Sequence, residues 1–400
     1  MKEICPKIDC TGCQACRVAC AKNAISMQED NRGHIYPVID ANLCIDCGKC
    51  QKICPSINPP SFNNAPIKVY AAHSKDFDRR HYSTSGGISY ELSKSIIEAG
   101  GYFCGVIWTM DGAKHRLTNK LEELKEFQGS KYSHSDVGNV YVDIRDLLKQ
   151  GEAVLFTGTP CQCAALRKFL VKPYDNLFIV DLVCHGVPSR RVLRDSIREV
   201  EQRNSKKVTY LRFRDKQPNQ ISTYMKYVFE DGTCECQKYT ESFFFRSFVD
   251  NYILRENCYR CPYSRSERVS DLTIADFWGY HPIKWKFRNC WEGISIAIVN
   301  NEQGKALFSR IEKSIQFEER TLEENANQNL HAPQPKPNNF ENYWEDYENE
   351  VAYDLIRRRY LSKPDEYNPT LKQRIIRDVK LLLPPGTLSL FRTIKKQIRK

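Results

Sequence analysis

Two runs of cysteines within the first 54 residues constrain the fold of this chain most strongly, because both follow the spacing C-x2-C-x2-C-x3-C. Three cysteines at this spacing can bind three irons of one cubane, while the fourth points toward a neighbouring cluster. The two ligand sets therefore interlock. The spacing predicts one [4Fe-4S] cluster on Cys10, Cys13, Cys16 and Cys54, and another on Cys44, Cys47, Cys50 and Cys20.

Zinc and disulfides are the alternative uses of such cysteines. Zinc sites usually take two C-x2-C pairs separated by a longer gap, whereas here three cysteines follow in immediate succession twice. Disulfides require an oxidising compartment, and the amino terminus, Met1 to Cys5, has no apolar signal region. We therefore predict a bacterial ferredoxin-type cluster domain in a cytoplasmic protein. One departure is Ala21, where ferredoxins usually carry proline after the fourth cysteine.

The length of the chain implies more than a ferredoxin. A two-cluster domain needs about 60 residues, so most of the 400 residues must build a larger body. The hydrophobic content of 41% is ordinary for a globular chain, and no segment approaches the roughly 18 apolar residues of a membrane span. A Pro-, Asn- and Ser-rich linker occupies positions 55–66. We expect domains at 1–60, 66–325 and 326–400.

The body shows short apolar strands alternating with helices, which predicts an α/β domain. The predicted strands are Val69–His73, Tyr102–Thr109, Ala153–Thr157 and Leu177–Val183, and the predicted helices are Ile88–Ala99 and Cys163–Leu170. Alternating segments Val208–Phe213 and Thr223–Phe229, joined by Asp231-Gly232, predict a β insertion. The expected fold is an α+β ferredoxin-like cluster domain, then an α/β domain with this insertion, then a helical basic C-terminal tail.

Much of the net charge of +11 lies in that tail, where positions 372–400 carry nine basic residues and one acidic residue. The basic residues alternate with apolar ones, as in a basic amphipathic helix. Peripheral contact with an anionic membrane surface, or with a partner groove, fits this pattern better than nucleic acid. Packing of the apolar face on the chain's own domain is the simplest alternative.

Two loops at predicted strand ends could contact a ligand. Ser83–Gly87 precedes a predicted helix, and a loop of small residues at a helix start can bind phosphate. This loop matches no dinucleotide fingerprint, so a plain helix cap is the alternative. The second loop, Gly158–Gln162, presents Cys161. A strand-ending cysteine and a C-x2-C pair complete a predicted third [4Fe-4S] cluster on Cys161, Cys184, Cys258 and Cys261. Alternatively, Cys184 and His185 act in nucleophilic or proton-transfer chemistry.

Five ordered motifs resemble the coenzyme F420 hydrogenase/dehydrogenase beta-subunit family. They are Gly129-Ser130-Lys131-Tyr132, Gly158-Thr159-Pro160-Cys161-Gln162, Asp181 to Ser189, the Cys258 and Cys261 pair, and Ala275-Asp276-Phe277-Trp278-Gly279. The resemblance covers about residues 5 to 300. It implies FAD bound in the α/β domain by Ser85, Gly86, Gly87, Ser130, Lys131, Thr157, Gly158, Thr159 and Asp276. It also places Lys131 near the flavin ring or phosphates. Ala275 departs from the family's usual glycine.

These features predict an iron-sulfur flavoprotein oxidoreductase. A flavin accepts a pair of electrons and releases them singly to clusters. The expected redox partner is coenzyme F420, NAD(P)H, ferredoxin or a sugar-linked substrate. The catalytic candidates are Lys131, Cys184 and His185. The rival hypothesis is an electron-carrier subunit that docks on a separate catalytic protein, with the acidic aromatic stretch Phe340–Tyr353 and the basic tail as docking surfaces.

Overall fold

The computed structural model describes residues 3–63, 65–216, 224–281 and 292–362. The predicted basic amphipathic helix within 372–400 lies outside these residues. The described helices are α1 Ala15–Ala19, α2 Lys49–Lys52, α3 Phe77–His81, α4 Ile88–Glu98, α5 Leu124–Phe127, α6 Val140–Lys149, α7 Pro160–Leu170, α8 Arg190–Asn204, α9 Phe243–Val249, α10 Glu302–Ser309, α11 Phe340–Glu348 and α12 Tyr353–Tyr360. The described strands are β1 Ile25–Glu29, β2 Ile35–Ile39, β3 Lys68–Ser74, β4 Tyr102–Thr109, β5 Gly112–Thr118, β6 Val154–Gly158, β7 Leu177–Leu182, β8 Val208–Asp215, β9 Tyr224–Phe229, β10 Cys234–Lys238, β11 Leu272–Asp276, β12 Ser295–Val299 and β13 Ile315–Arg320.

The largest sheet has the strand order β13-β3-β12-β11-β7-β6-β4-β5. Its centre, β11-β7-β6-β4, is parallel, and antiparallel strands extend it on both sides. Helices α4 and α10 pack on one face, and α6 and α7 cover the other. Because both faces are covered, the central strands are continuous apolar runs such as Val154–Phe156. The chain is thus a mixed α/β protein, as the alternation of strands and helices predicts.

Local signals explain where the predicted elements begin and end. Helix α4 starts after Gly87, whose φ of +84° is strained for other residues, and ends before Gly100. Helix α7 begins with Pro160 and a capping box between Thr159 and Gln162. The four predicted strands of the α/β domain correspond to β3, β4, β6 and β7.

Strands β8, β9 and β10 form a separate antiparallel sheet. The prediction that Asp231-Gly232 joins the two predicted strands is wrong, because this turn connects β9 to a third strand, β10. The sheet packs with α8, α9, α11 and α12 around an aromatic core. Phe340, Tyr343, Trp344 and Tyr347 are buried there, so the aromatic side chains expected to dock a partner instead pack against their own chain.

The cysteine-rich amino-terminal region consists of the β1-β2 hairpin and the short helices α1 and α2. Its Ala15 and Ala19 share a hydrophobic core with α6 and α7 of the body. The region is therefore packed into the α/β body. Within the described part of the chain, every helix is too short or too polar to cross a lipid bilayer.

Candidate metal centres

Cys10, Cys13, Cys16 and Cys54 line one cavity. Each is less than 10% exposed, and Cys54 comes from the second run while the other three come from the first. The fold thus brings together the interlocked ligand set that the spacing predicts. Among the described residues, no three Cys, His, Asp or Glu side chains converge on the position of a single metal ion. A [4Fe-4S] cluster instead takes four separate thiolates, which surround a cavity.

The loop that carries the first run is held in an uncommon backbone conformation. Gly12 has a φ of +69° and Gln14, before α1, has a φ of 65°. A Cβ atom on Gly12 would lie 2.7 Å from both Arg255 Nη2 and His134 Cε1. Glycine is therefore required at this position both for its φ and for the close approach of the body.

Cys5 also lines this cavity, and sequence reasoning missed it. Its thiol is hydrogen-bonded to Cys10 and Cys54, which raises the pKa of Cys5 far above its ordinary value. The same hydrogen bonds lower the pKa of Cys10 to about 7 and that of Cys54 to about 6. A cysteine outside the repeated spacing gave no signal beyond its nearness to the first run.

The second predicted set is more open to solvent. Cys47 is exposed, whereas Cys20, Cys44 and Cys50 are partly buried. Burial raises the pKa of Cys50, and the nearby Cys20 and Cys47 act in the same direction. Cys20 therefore lies close enough to the second run to interact with it electrostatically, although it belongs to the first run.

The third predicted set is assembled from three distant segments. Cys161 follows β6 in the first turn of α7, Cys184 follows β7, and Cys258 and Cys261 belong to or follow the 3-10 helix Glu256–Arg260. Burial raises the pKa of Cys161 to about 12 and that of Cys258 to about 11, and it raises that of Cys184 well above its ordinary value. Each of these three thiols also interacts electrostatically with Cys261. The structure therefore brings the four cysteines together at the carboxyl edge of the parallel strands.

Neighbouring groups already direct hydrogen bonds at two of these thiols. The Val187 N–H donates to Cys258 Sγ at 3.4 Å, and Thr159 Oγ1 lies 3.2 Å from Cys161 Sγ. Hydrogen bonds to thiolate sulfur stabilise its charged form. These contacts favour a thiolate role for both residues.

His185 is oriented by Phe248 of α9, which packs in the same aromatic core as the three-stranded sheet. Its Nε2 lies 3.2 Å from the Phe248 carbonyl oxygen, and its ring packs edge-on against Phe248. Burial lowers the pKa of His185, so its neutral form is favoured and Nε2 donates to the carbonyl. The imidazole is thus engaged in a backbone contact, and its role as an acid or base with Cys184 stays a prediction.

The first and third sets are close neighbours. Cys13 and Cys161 interact electrostatically, and both act on the hydroxyl of Tyr263. A second tyrosine also bridges the two sets, because the Tyr141 hydroxyl lies 3.3 Å from the carbonyl oxygen of Cys13 and 3.3 Å from that of Gln162, which follows Cys161. Two buried aromatic side chains therefore line the region between the two groups of thiols.

The predicted flavin loop Ser85-Gly86-Gly87 packs tightly on the large sheet. Gly86 N–H donates to Ser295 Oγ at 2.9 Å, and a Cβ atom on Gly86 would lie 2.4 Å from the Ala72 carbonyl oxygen. Ser85 Oγ donates to the Ile294 carbonyl at 3.0 Å. Packing against neighbouring strands therefore accounts for Gly86. Gly87 leaves the start of α4 without a side-chain cap, so the first N–H groups of this helix have no capping side chain.

Lys131 and Ser130 lie beside this loop. The Ser130 N–H donates to Thr84 Oγ1 at 2.6 Å. Lys131 Nζ donates to the carbonyls of Glu126, Phe127 and Gln128 at 3.2, 2.9 and 3.0 Å, so it caps the carboxyl end of α5. Burial, with a smaller contribution from the charge of Arg212, lowers the pKa of Lys131 to about 7. The contacts shown are those of a helix-capping lysine.

Two further cations that the sequence did not single out complete this neighbourhood. Arg214 forms a partly buried ion pair with Asp276, which raises the pKa of the guanidinium against the effect of burial. Lys216 Nζ donates to the carbonyls of Arg80, Ser85 and Glu292 at 2.7, 3.1 and 2.7 Å. The strand β8 thus brings positive charge to the loop before α4, and Asp276 has a cationic partner.

Thr157, Gly158 and Thr159 lie on the cysteine side of the sheet edge. Thr157 and Gly158 end β6 and pair with Val180 and Asp181 of β7. The Thr159 side chain is used in the capping box of α7 and contacts Cys161. The described contacts join Ser85, Ser130 and Asp276 to one cationic neighbourhood, and they join Thr159 to the third cysteine set.

Comparison with family models identifies two regions of the chain. Residues 151–325 match the model for the C terminus of the coenzyme F420 hydrogenase/dehydrogenase beta subunit. Residues 9–57 match the 4Fe-4S dicluster domain. The second match covers all eight cysteines of the two runs, and the first covers the four cysteines of the dispersed set.

Individual relatives are more distant. One of the subunits of the F(420)H(2) dehydrogenase of Methanosarcina mazei is 25% identical in an alignment over 203 residues, which covers 47% of this chain and 56% of the relative. The chain therefore spans just over half the length of this curated relative. A structure of the F420-reducing [NiFe] hydrogenase complex from Methanosarcina barkeri, determined after xenon derivatization, aligns with 16% identity and a TM-score of 0.44, over 66% of this chain and 85% of that chain.

Proposed function

We propose that this chain, a relative of the coenzyme F420 hydrogenase/dehydrogenase beta subunits that carries a 4Fe-4S dicluster domain, is an iron-sulfur flavoprotein oxidoreductase. It would pass electrons between FAD and three [4Fe-4S] clusters. The oxidoreductase family and the two-cluster domain agree with the sequence prediction. The third cluster, the flavin and the identity of the substrate are the parts that this proposal adds.

The observation that carries the proposal is the position of the dispersed cysteine set. Cys161, Cys184, Cys258 and Cys261 converge at the carboxyl edge of a parallel sheet, where ligands bind in open α/β folds. The same set interacts with Cys13 of the first run. A cluster on these four residues would therefore stand between a ligand at the sheet edge and the dicluster domain.

The chemistry of the neighbouring residues fits an anionic nucleotide such as FAD. Lys216 and Arg212 bring cationic side chains to the segment before α4, and Arg214 pairs with Asp276 nearby. The first turn of α4 has no capping side chain. Phosphate oxygens bind well to such helix starts and to cationic side chains. Bound FAD would supply conversion between two-electron and one-electron transfer. Ser85, Gly87, Ser130 and Asp276 lie where they could contact it, while Gly86 would contribute through packing.

The chain's own residues would exclude water and hold charge. The Tyr132 ring packs against Phe245 and Phe248 of α9, and Phe248 also contacts the ring of His185, beside Cys184. The Phe248 carbonyl fixes the His185 ring, and Val187 N–H and Thr159 Oγ1 stabilise thiolates on Cys258 and Cys161. Lys131 would act by holding the carboxyl end of α5 against the ligand loop.

The redox partner is proposed from the names of the family and of the Methanosarcina mazei relative. Coenzyme F420 is named in both, and NAD(P)H, ferredoxin or a sugar-linked compound are the alternatives. The Methanosarcina mazei relative is named as one of several subunits of a dehydrogenase. This favours a second candidate function, an electron-carrier subunit that works with a separate catalytic protein.

The two functions differ in cofactor content and in activity. After purification without oxygen, the enzyme should contain about twelve irons and as many sulfides per chain with one FAD, taking four irons for each cluster. It should also oxidise or reduce coenzyme F420 or a nicotinamide without added protein. About eight irons without flavin would reject the enzyme and support the carrier.

A further inference from the structure

Arg255 is a fully buried arginine whose guanidinium is only partly hydrogen-bonded within the described part of the chain. Its side chain is 0% exposed, and its Nε and Nη1 atoms have no hydrogen-bond partner among the residues that the structure describes. Only Nη2 is engaged, at 2.9 Å from the Ile35 carbonyl oxygen and 3.4 Å from His134 Nδ1. A buried guanidinium without a compensating anion is strongly unfavourable, so its surroundings should supply negative charge.

The groups near Arg255 that can become anionic include the predicted cluster ligands Cys10, Cys161 and Cys258. The positive charge of Arg255 acts on Cys10 in the first set and on Cys161 and Cys258 in the third, where it favours the anionic thiolate against the effect of burial. The opposite face of the side chain is closed by the ring of Tyr36, whose centroid lies 4.7 Å from the guanidinium carbon. Gly12, in the loop between Cys10 and Cys13, has no side chain to separate this loop from Arg255.

The backbone fixes Arg255 in this place. Its N–H donates to the Val187 carbonyl at 2.9 Å, in the segment that follows Cys184, and its own carbonyl accepts from the Cys258 N–H at 2.9 Å. The residue is thus joined to two segments of the third set, while its side chain reaches the first. Because Arg255 reaches both sets, its single positive charge can act on both, although the sets come from separate regions of the chain.

We propose that Arg255 is the shared counter-charge of two clusters, one on Cys10, Cys13, Cys16 and Cys54 and the other on Cys161, Cys184, Cys258 and Cys261. This inference rests on the proposed function, because it requires clusters at both sites. A [4Fe-4S] core held by four thiolates is a net anion, and reduction adds one more negative charge. A fixed guanidinium therefore stabilises the reduced form of both clusters and makes both easier to reduce.

The test compares Arg255→Met with Arg255→Lys in the full-length protein purified without oxygen. Iron content is measured first, and the midpoint potentials of the clusters are then determined by redox titration followed by electron paramagnetic resonance. Arg255→Met should move two of the three potentials to more negative values, and Arg255→Lys should move them less because it retains the charge. The cluster on Cys20, Cys44, Cys47 and Cys50 serves as the internal reference and should shift least.

Arg320→Met is the matched control. Arg320 is also a buried arginine, but Glu318 and Glu324 neutralise it on the outermost strand, β13, of the large sheet. This variant should lose stability without a shift in any potential. Unchanged potentials in an Arg255→Met protein with full iron content would overturn the inference.

A measurement on the unaltered protein covers the case in which Arg255→Met does not fold. Chains labelled with 15N-arginine should show a hyperfine coupling between a reduced cluster and guanidinium nitrogen, and Arg255→Lys should abolish it. Absence of this coupling in the wild-type protein would also reject the inference. If only eight irons are present, the proposed third cluster fails, whereas the effect of Arg255 on the cluster of the first run can still be measured.

Discussion

Residues 10–54 and residues 161–261 both supply cysteines to candidate clusters, but they do so in different ways. In the first region, successive cysteines of each run have two or three residues between them, so local chain geometry brings most of each ligand set together. In the second, Cys161, Cys184 and the Cys258–Cys261 pair meet only because β6, β7 and a 3-10 helix end near one another. The comparison shows that a cluster site can be encoded by spacing or by sheet topology.

The largest expected effect comes from breaking the topological site. Cys258→Ser should remove about four of about twelve irons per chain and leave the two ferredoxin-type clusters in place. Iron and sulfide analysis, with electron paramagnetic resonance of the reduced protein, measures this loss. Cys163→Ala is the matched control, since Cys163 is a buried cysteine on the same helix as Cys161 whose thiol faces backbone carbonyls. Full iron content in Cys258→Ser would contradict the assignment.

A second test sharpens the contrast within the first region. The set on Cys20, Cys44, Cys47 and Cys50 includes an exposed cysteine, whereas Cys10, Cys13, Cys16 and Cys54 are all buried. Under mild oxidation with a chelator, iron should leave in at least two phases, with about a third of it in the fastest phase. Cys47→Ser should eliminate that phase. A fast phase that survives this change would mean that exposure does not set the order of loss.

The third test concerns the strand that supports Cys161. His115 is 7% exposed and stacks on Phe156 of β6, and burial lowers its pKa from 6.5 to about 4. Between these values the unfolded chain binds a proton that the folded chain does not, so stability falls as the pH drops from 6.5 toward 4. At pH 5 the loss should be about 2 kcal/mol.

Urea unfolding at pH 7 and pH 5 measures this effect in the wild-type protein and in His115→Leu. The variant should show a smaller loss between the two pH values, because residue 115 no longer titrates. An equal loss in both proteins would assign the acid sensitivity to other groups, such as the buried His34 and His134.

The smallest effect is expected at Cys5. This residue lines the cavity of the first set, but four thiolates complete the ligand shell of a [4Fe-4S] cluster. Cys5→Ala should therefore keep the full iron content and change the midpoint potential of that cluster only modestly. Loss of four irons would show that Cys5 is a ligand in place of one of the predicted four.

The outcomes at particular residues show where prediction from sequence was effective. The strands of the α/β domain were found because apolar runs bounded by glycine and proline are local signals, and Thr159-Pro160 marked the start of α7. The turn at Asp231-Gly232 was recognised but assigned to the wrong strand pair, because a turn signal does not identify its strands. The aromatic residues of α11 looked available for docking, since a sequence does not show which face another element covers.

The sequence by itself determined the dicluster motif, the α/β character of the body and the candidates for a third cluster, because each depends on spacing or periodicity along the chain. The tertiary structure decided that Cys5 also lines the cavity of the first set, that Cys161 lies beside Cys13, and that Arg255 stands between the two sets. These relations depend on contacts between residues far apart in the chain. Such contacts arise from packing of the whole fold, which no local pattern specifies.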